Sequence, residues 1–337
     1  MTTVEPADLV LGPATRLLWR SPEAVHLELG NQAMVVEGLP LPVIRQLVDR
    51  RRTTGTTPLD DGVARVLDDL ADAGFLWAAT EPEDDRLVPP VPRLAGELHS
   101  LAVRHGERAA QVLNARRHCR VTVHGNGRSA AHLAALLAAA GVGRVHCAVD
   151  GSVRLSHPTP GGVEPRDEGR ALAFAADAAI HRAAPEVDTT PLPCDDHPDL
   201  TVLALDSPVD ENHRAALHVA GAAHLLVTLG ADHGVVGPLV IPGLTSCLHC
   251  ADLHRRDRDP AWSALAAQLT VGRRYGATSD VCVSTVIVGA AAMQALTFLD
   301  GGEPTCVEGT IELALPDWRL RRRSRPGHPD CGCTAGA

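Results

Sequence analysis

The sequence predicts an α/β fold: a Rossmann-type, mostly parallel sheet with a four-cysteine zinc site, preceded by a small α+β, winged-helix-like domain. Three observations carry this expectation. A glycine-rich turn sits between a strand and a helix in Val121-Thr-Val-His-Gly125-Asn-Gly127-Arg-Ser-Ala130. Strand and helix patterns alternate after residue 115, as a parallel sheet with crossover helices requires. Two close cysteine pairs, Cys247/Cys250 and Cys331/Cys333, stand some eighty residues apart.

The elements follow in order. Residues 15–20, 25–29 and 33–37 read as three short strands, separated by Ser21-Pro22 and Gly30-Asn31. Helical stripes follow over 42–52 (Val43, Leu47, Val48) and over 62–73 (Val63, Val66, Leu67, Leu70), the second stopped by Gly74. Phe75-Leu-Trp77 adds a short apolar strand. Residues 1–79 therefore form a small domain. Residues 80–114, acidic and proline-rich at the start, read as a linker and connecting helix. Residues 115–337 hold the larger domain, with strands expected at 119–124, 144–149, 201–205 and 225–229. Helices are expected there at 129–140, 169–184 and 212–220.

Composition narrows the function. Of 337 residues, 45% are apolar and 21% charged, as in a globular protein, and only 2% are aromatic. A net charge of −10 argues against nucleic acid as the main partner. No basic, apolar leader is visible at the start, and the apolar stretch 283–299 is interrupted by Ser284, Thr285 and Gln294. It reads as too short and too polar to span a bilayer, so the expected location is the cytoplasm. Nine cysteines there suggest metal ligands or reactive thiols before disulfides. The sequence contains no lysine, so no step can draw on an ammonium side chain.

In the glycine turn, Gly125 would make the tight bend and Gly127 would let a phosphate approach the backbone. Ala130 would pack the helix against the sheet. The helix N-terminus then offers unpaired N–H groups to an anion, and Asp150, ending the next strand, is placed to bind ribose hydroxyls. A tight turn without a ligand stands beside that reading. The cysteine pairs can give four thiolates to one tetrahedral zinc, a closed and therefore structural site. His249, His254 and His328 flank them. Cys282, ahead of an apolar helix, reads as a packed core thiol rather than a nucleophile that forms a thioester, and Arg319, Arg321, Arg322, Arg323 and Arg325 read as a solvated strand face.

Residues 121–137, Ala140-Gly-Val-Gly-Arg-Val145, Asp150, Leu205-Asp206 and the knuckles Pro242–Cys250 and His328–Cys333 together resemble the ThiF-like branch of the ubiquitin-activating-enzyme superfamily. The first 79 residues are similar in layout to the PqqD-like domains that clasp peptides, as in leader-peptide-binding ThiF-like partners of peptide cyclodehydratases. The resemblance implies ATP with Mg2+, bound through Gly125, Gly127 and Asp150, and Asp206 near the adenylation centre. It also implies a peptide or small carrier protein as partner, a partner modifying enzyme, and a homodimer. The chain departs from the family where Ser152 replaces a second aspartate, and where no lysine follows one helix later. Arg170 lies near that place, although arginine is not a like-for-like replacement for lysine. A peptide is expected along the strand carrying Val35, against Val63, Val66 and Leu70. Three readings remain at this stage: an adenylating enzyme, an adenylation-deficient peptide binder, and an NAD-dependent oxidoreductase. The last leaves the cysteine pairs and the N-terminal domain unexplained.

Overall fold

The computed structural model describes residues 9–22, 24–48, 61–78, 89–125, 128–193, 196–205, 209–271 and 279–334. The chain divides into two compact units, Met1–Ala115 and Arg116–Ala337.

The first unit contains two small sheets. Strands β2 (Arg16–Ser21), β3 (Ala24–Leu29) and β4 (Gln32–Glu37) form an antiparallel sheet in that order, while β1 (Leu9–Leu11) pairs antiparallel with β5 (Leu76–Ala78). Alternation explains the first sheet. Val25, Leu27 and Leu29 of β3 are buried, as is Val36 of β4, and they meet the apolar stripes of α1 (Leu41–Val48) and α2 (Asp61–Asp72). Residues 49–52 of the expected first helix lie outside the described residues. Within 80–114, Leu94 and, on α3 (Ala95–His105), Leu98 and Leu101 pack with Val10 and Trp77, and α4 (Ala109–Arg116) adds Leu113. Residues 80–88, most of the acidic, proline-rich start, lie outside the described residues.

The second unit is built on one seven-stranded sheet. Its strands are β6 (Arg120–Gly125), β7 (Arg144–Ala148), β8 (Leu200–Leu205), β9 (His224–Leu229), β10 (His233–Val240), β11 (Gly309–Ala314) and β12 (Arg321–Ser324). The spatial order is β12-β11-β10-β9-β8-β6-β7. The β7-β6-β8-β9 half is parallel, and β9-β10-β11-β12 is antiparallel. The parallel half was legible from the helix–strand alternation. Of the antiparallel strands, β10 and β11 were not expected, whereas β12 falls on the arginine run read as a solvated strand face and is exposed along its length.

Helices cover both faces. On one lie α5 (Ser129–Ala139), α6 (Leu172–Ala183) and α10 (Val281–Leu299), which close the main core. Gly141, at φ +98°, ends α5, a conformation that favours glycine. On the other face, α7 (Glu211–Val219) and α8 (Leu248–Arg258) pack Leu217, Leu248 and Cys250 on Leu203 and Val240, with α9 (Trp262–Val271) beyond α8. Strand β8 is buried from Leu200 to Ala204, as a strand covered on both faces must be. Arg116 is fully buried: its guanidinium spans Asp300 beyond α10 (2.6 and 2.9 Å) and the carbonyl of Ala140 beyond α5 (2.7 Å).

Helix α10 corrects one expectation. At 19 residues and a mean hydropathy of 1.9 it is long and apolar enough to cross a bilayer by length and composition. It packs on α5, β9 and β10, with Val283, Ile287, Val288, Ala291 and Ala295 in the main core.

Candidate nucleotide cleft and thiol cluster

The candidate nucleotide site begins where β6 and β8 end. Strand β6 delivers Gly125 opposite Ala204, and a Cβ on Gly125 would lie 2.5 Å from the Ala204 carbonyl oxygen and 2.7 Å from the Ala130 Cβ. Glycine at 125 and a small residue at 130 are therefore steric requirements of strand, turn and helix together. Ala130, in the first turn of α5, is 1% exposed. Gly127 lies outside the described residues, as does Asp206, which follows Leu205 at the end of β8.

Asp150 stands exposed just past β7. The chain beyond it is fastened to the segment before α6: Leu172 N–H donates to Gly151 O, Val153 N–H to Arg170 O, and Gly169 N–H to Val153 O. This pairing sets Arg170 beside Ser152 and Val153. Its side chain is half exposed and reaches Asp167 at 3.3 Å, so the cation has a carboxylate partner already. Arg128, opening α5, donates through Nη2 to Ser156 O at 2.7 Å and holds the loop after Asp150.

Two groups in the second unit escaped the sequence reading. His124, next to Gly125, meets His213 of α7 edge-on with ring centroids 5.3 Å apart. Burial, then the neighbouring His213 and His146, push the His124 imidazole down to about 4 from its ordinary 6.5, so it is neutral near pH 7. The second group centres on Asp252 of α8. It accepts from Arg214 of α7, Arg255 of α8 and the indole N–H of Trp262 on α9, and Arg255 lies 5.0 Å over the Trp262 ring. This network stands between cavities of about 370 and 520 Å3. The larger is lined by Thr228, His233 and Leu248 and also by the ion pair Glu312–Arg325. It is wide enough for an amino-acid side chain and carries both charge signs.

The four cysteines of the two knuckles do converge. Sγ atoms stand 3.9 Å apart for Cys247–Cys250, 3.6 Å for Cys247–Cys331 and 3.4 Å for Cys250–Cys333, and all four lie within 4.8 Å of one another. Tetrahedral thiolates at the usual zinc–sulfur distance of about 2.3 Å stand about 3.8 Å apart, so the donor set fits zinc, and disulfides would need far closer sulfurs. Burial pushes the Cys331 thiol up to about 11 and Cys333 higher. Burial also opposes ionisation of Cys250, but backbone N–H donors at His328 and Cys247 bring it below its ordinary value.

The remaining expectations fare unevenly. Cys282 is exposed in the first turn of α10, because the helix buries its other face, so it is not a packed core thiol. In the first unit Val35 is exposed on β4, an edge of its sheet. Val63 and Val66 are half-buried against the core, and Leu70 is fully buried within it. The apolar stripe of α2 is thus spent on the core, and Leu70 is not available to line a groove.

No protein-family model matches the chain, and a search of curated proteins finds no relative. Solved structures do match. E. coli MccB with AMPCPP and MccA is 17% identical, aligns over 98% of this chain and 100% of that one, and has a TM-score of 0.71. The microcin C7 biosynthetic enzyme MccB in complex with N-formylated MccA is 16% identical over 97% and 99% of the two chains, TM-score 0.72. PaaA is 15% identical over 94% and 99%, TM-score 0.67. At these identities the likeness establishes the fold, which is the fold the ThiF-like resemblance implies.

Proposed function

We propose that the chain is a ThiF-like adenylyltransferase that binds a peptide or small carrier protein through its N-terminal unit and ATP with Mg2+ in the cleft at Gly125. The observation that carries this reading is the close approach of Gly125, Ala204 and Ala130, which leaves the α5 N-terminus facing the end of the parallel strands. MccB shares this fold and holds AMPCPP and MccA. ATP would supply an AMP group to the C-terminal carboxylate of the bound partner, with release of pyrophosphate. The chain's own residues would divide the rest. Asp150 would take the ribose hydroxyls and the N–H groups that open α5 would meet phosphate, while the family resemblance assigns Asp206 to the phosphates and their cation.

A second reading keeps the fold and loses the chemistry. It is favoured by the absent lysine and by Arg170, whose charge is engaged by Asp167. Transfer of a charged group depends on positioned cations, so the chain would then serve as the leader-peptide-binding partner of a peptide-modifying enzyme.

In both readings the N-terminal unit is winged-helix-like, and a peptide adds a strand along β4. Main-chain hydrogen bonds supply its affinity, with Val35 beneath it. Zinc in the four-thiolate site would tie the C-terminal segment to α8. The protein is cytoplasmic in this account and a homodimer. The outer residues of α10 (Cys282, Val286, Gly289 and Met293) alternate at spacings of four and three with no charge among them, the pattern of a two-helix seam. Titrating peptides encoded beside the gene against the full chain and Val35→Pro tests the clasp. The variant should lose binding while nucleotide affinity and zinc content hold. Equal affinity for both proteins would place the peptide elsewhere.

A further inference from the structure

Helix α8 carries more than two cysteines on the side that meets the C-terminal segment. Cys247 at its cap, Cys250, His254 and Asp257 are spaced three, four and three residues apart, which sets them along one face. The first two join the thiol cluster. We propose that the other two form a clamp that fixes residues 326–330 against α8, and so positions Cys331 and Cys333 for the metal. This inference rests on the zinc reading of the cluster.

The centre of the clamp is His328, which is 6% exposed. The Asp330 N–H donates to its Nδ1 at 3.1 Å, which leaves the proton on Nε2, and Nε2 donates to Asp257 Oδ2 at 2.7 Å. His254 makes the second attachment. Its Nε2 lies 3.1 Å from the Pro326 carbonyl, and its ring meets that of His328 edge-on at 4.7 Å between centroids. The hold then passes directly to the knuckle, because the carbonyl of His328 accepts from Cys331 N–H at 2.9 Å. One residue earlier than Pro326, the Arg325 carbonyl accepts from Ser246 Oγ at 2.6 Å.

The physical need is plain. Cys331 and Cys333 lie on a segment with little regular structure, and ordering such a segment costs backbone entropy at every residue. A clamp that forms on folding removes most of that cost from the metal-binding step, in the way outer groups around metal ligands commonly raise affinity. His254, Asp257 and His328 also offer three ligand atoms within 4.8 Å, so they could be read as a second metal site. Their hydrogen bonds argue otherwise, since both nitrogens of His328 and the Nε2 of His254 are already engaged.

The test uses the full chain, Asp257→Ala and Asp257→Asn. Asp257 is largely exposed, so neither change disturbs a core. The readouts are zinc affinity against a chromogenic chelator and hydrogen exchange of residues 326–334 in metal-free protein. Asp257→Ala should bind zinc roughly 10- to 100-fold more weakly and exchange faster in that segment alone. Asp257→Asn, whose carbonyl oxygen still accepts from His328, should stay close to the parent in both. Unchanged affinity and exchange in Asp257→Ala would overturn the clamp. So would two zinc ions per parent chain falling to one in His254→Ala, which would make the trio a ligand set. Should the protein hold no zinc, the zinc reading fails and the exchange measurement alone decides the clamp.

Discussion

Gly125→Ala adds one methyl group where the structure has no room for it. The new Cβ would meet the Ala204 carbonyl oxygen at 2.5 Å and the Ala130 Cβ at 2.7 Å, both closer than such carbons come. Neither neighbour yields easily. Ala204 sits in β8 between β6 and β9, and Ala130 is locked in the first turn of α5. The end of β6 would have to move outward. Overpacking of this kind costs about 2 kcal/mol, which lowers Tm by about 4–8 °C for a unit of this size. A nucleotide that needs the turn where β6 now delivers it would lose the same energy, about thirtyfold in Kd. Thermal unfolding and calorimetric titration with a non-hydrolysable ATP analogue measure the two effects. An unchanged Tm would refute the packing argument. A lowered Tm with unchanged nucleotide affinity would remove the turn from the nucleotide site.

Two further changes test separate parts of the account. His124 is held near 4 in the folded protein and returns to about 6.5 on unfolding, so below pH 6.5 the unfolded chain takes up a proton that the folded chain does not. Its contribution is complete above pH 6.5 and falls away as pH drops through 4, by about 3 kcal/mol in all. Urea unfolding should therefore show a shallower loss between pH 7 and 4.5 for His124→Gln, and equal slopes would show that His124 is not buried as described. On α10, Met293→Glu places a charge in the proposed seam at a residue 60% exposed in the single chain. Light scattering should show a dimer for the parent and a monomer for the variant; a monomeric parent would remove the seam.

How much of this was legible in the sequence depended on whether a constraint is local. The roles of Gly125 and Ala130 are readable because strand, turn and helix fit within eleven residues. The cysteine pairs are readable because each knuckle is a short motif, although only the fold shows that Cys247 and Cys331 come within 3.6 Å. His124 and His213 were missed because they stand 89 positions apart and meet only where β6 ends against α7. The Asp252 network was missed for the same reason, since its donors come from three helices. Strands β10 and β11 eluded the pattern, β10 because Gly234 and Gly237-Pro238 interrupt it and read as breakers; β12, Arg-Arg-Arg-Ser, was legible only as a solvated face from its run of charge. On α2 the stripe itself was correct, yet periodicity alone cannot say that Leu70 is consumed by the core rather than offered to a peptide.

The central claim is that peptide binding and nucleotide chemistry belong to one protein. Peptide-dependent exchange of labelled pyrophosphate into ATP measures this directly, with the full chain, the peptides encoded beside its gene, and Asp206→Ala as control. The account predicts exchange only when the cognate peptide is present, and none in Asp206→Ala. Tight peptide binding with no exchange above the control would contradict it and leave a protein that has kept the fold for binding alone.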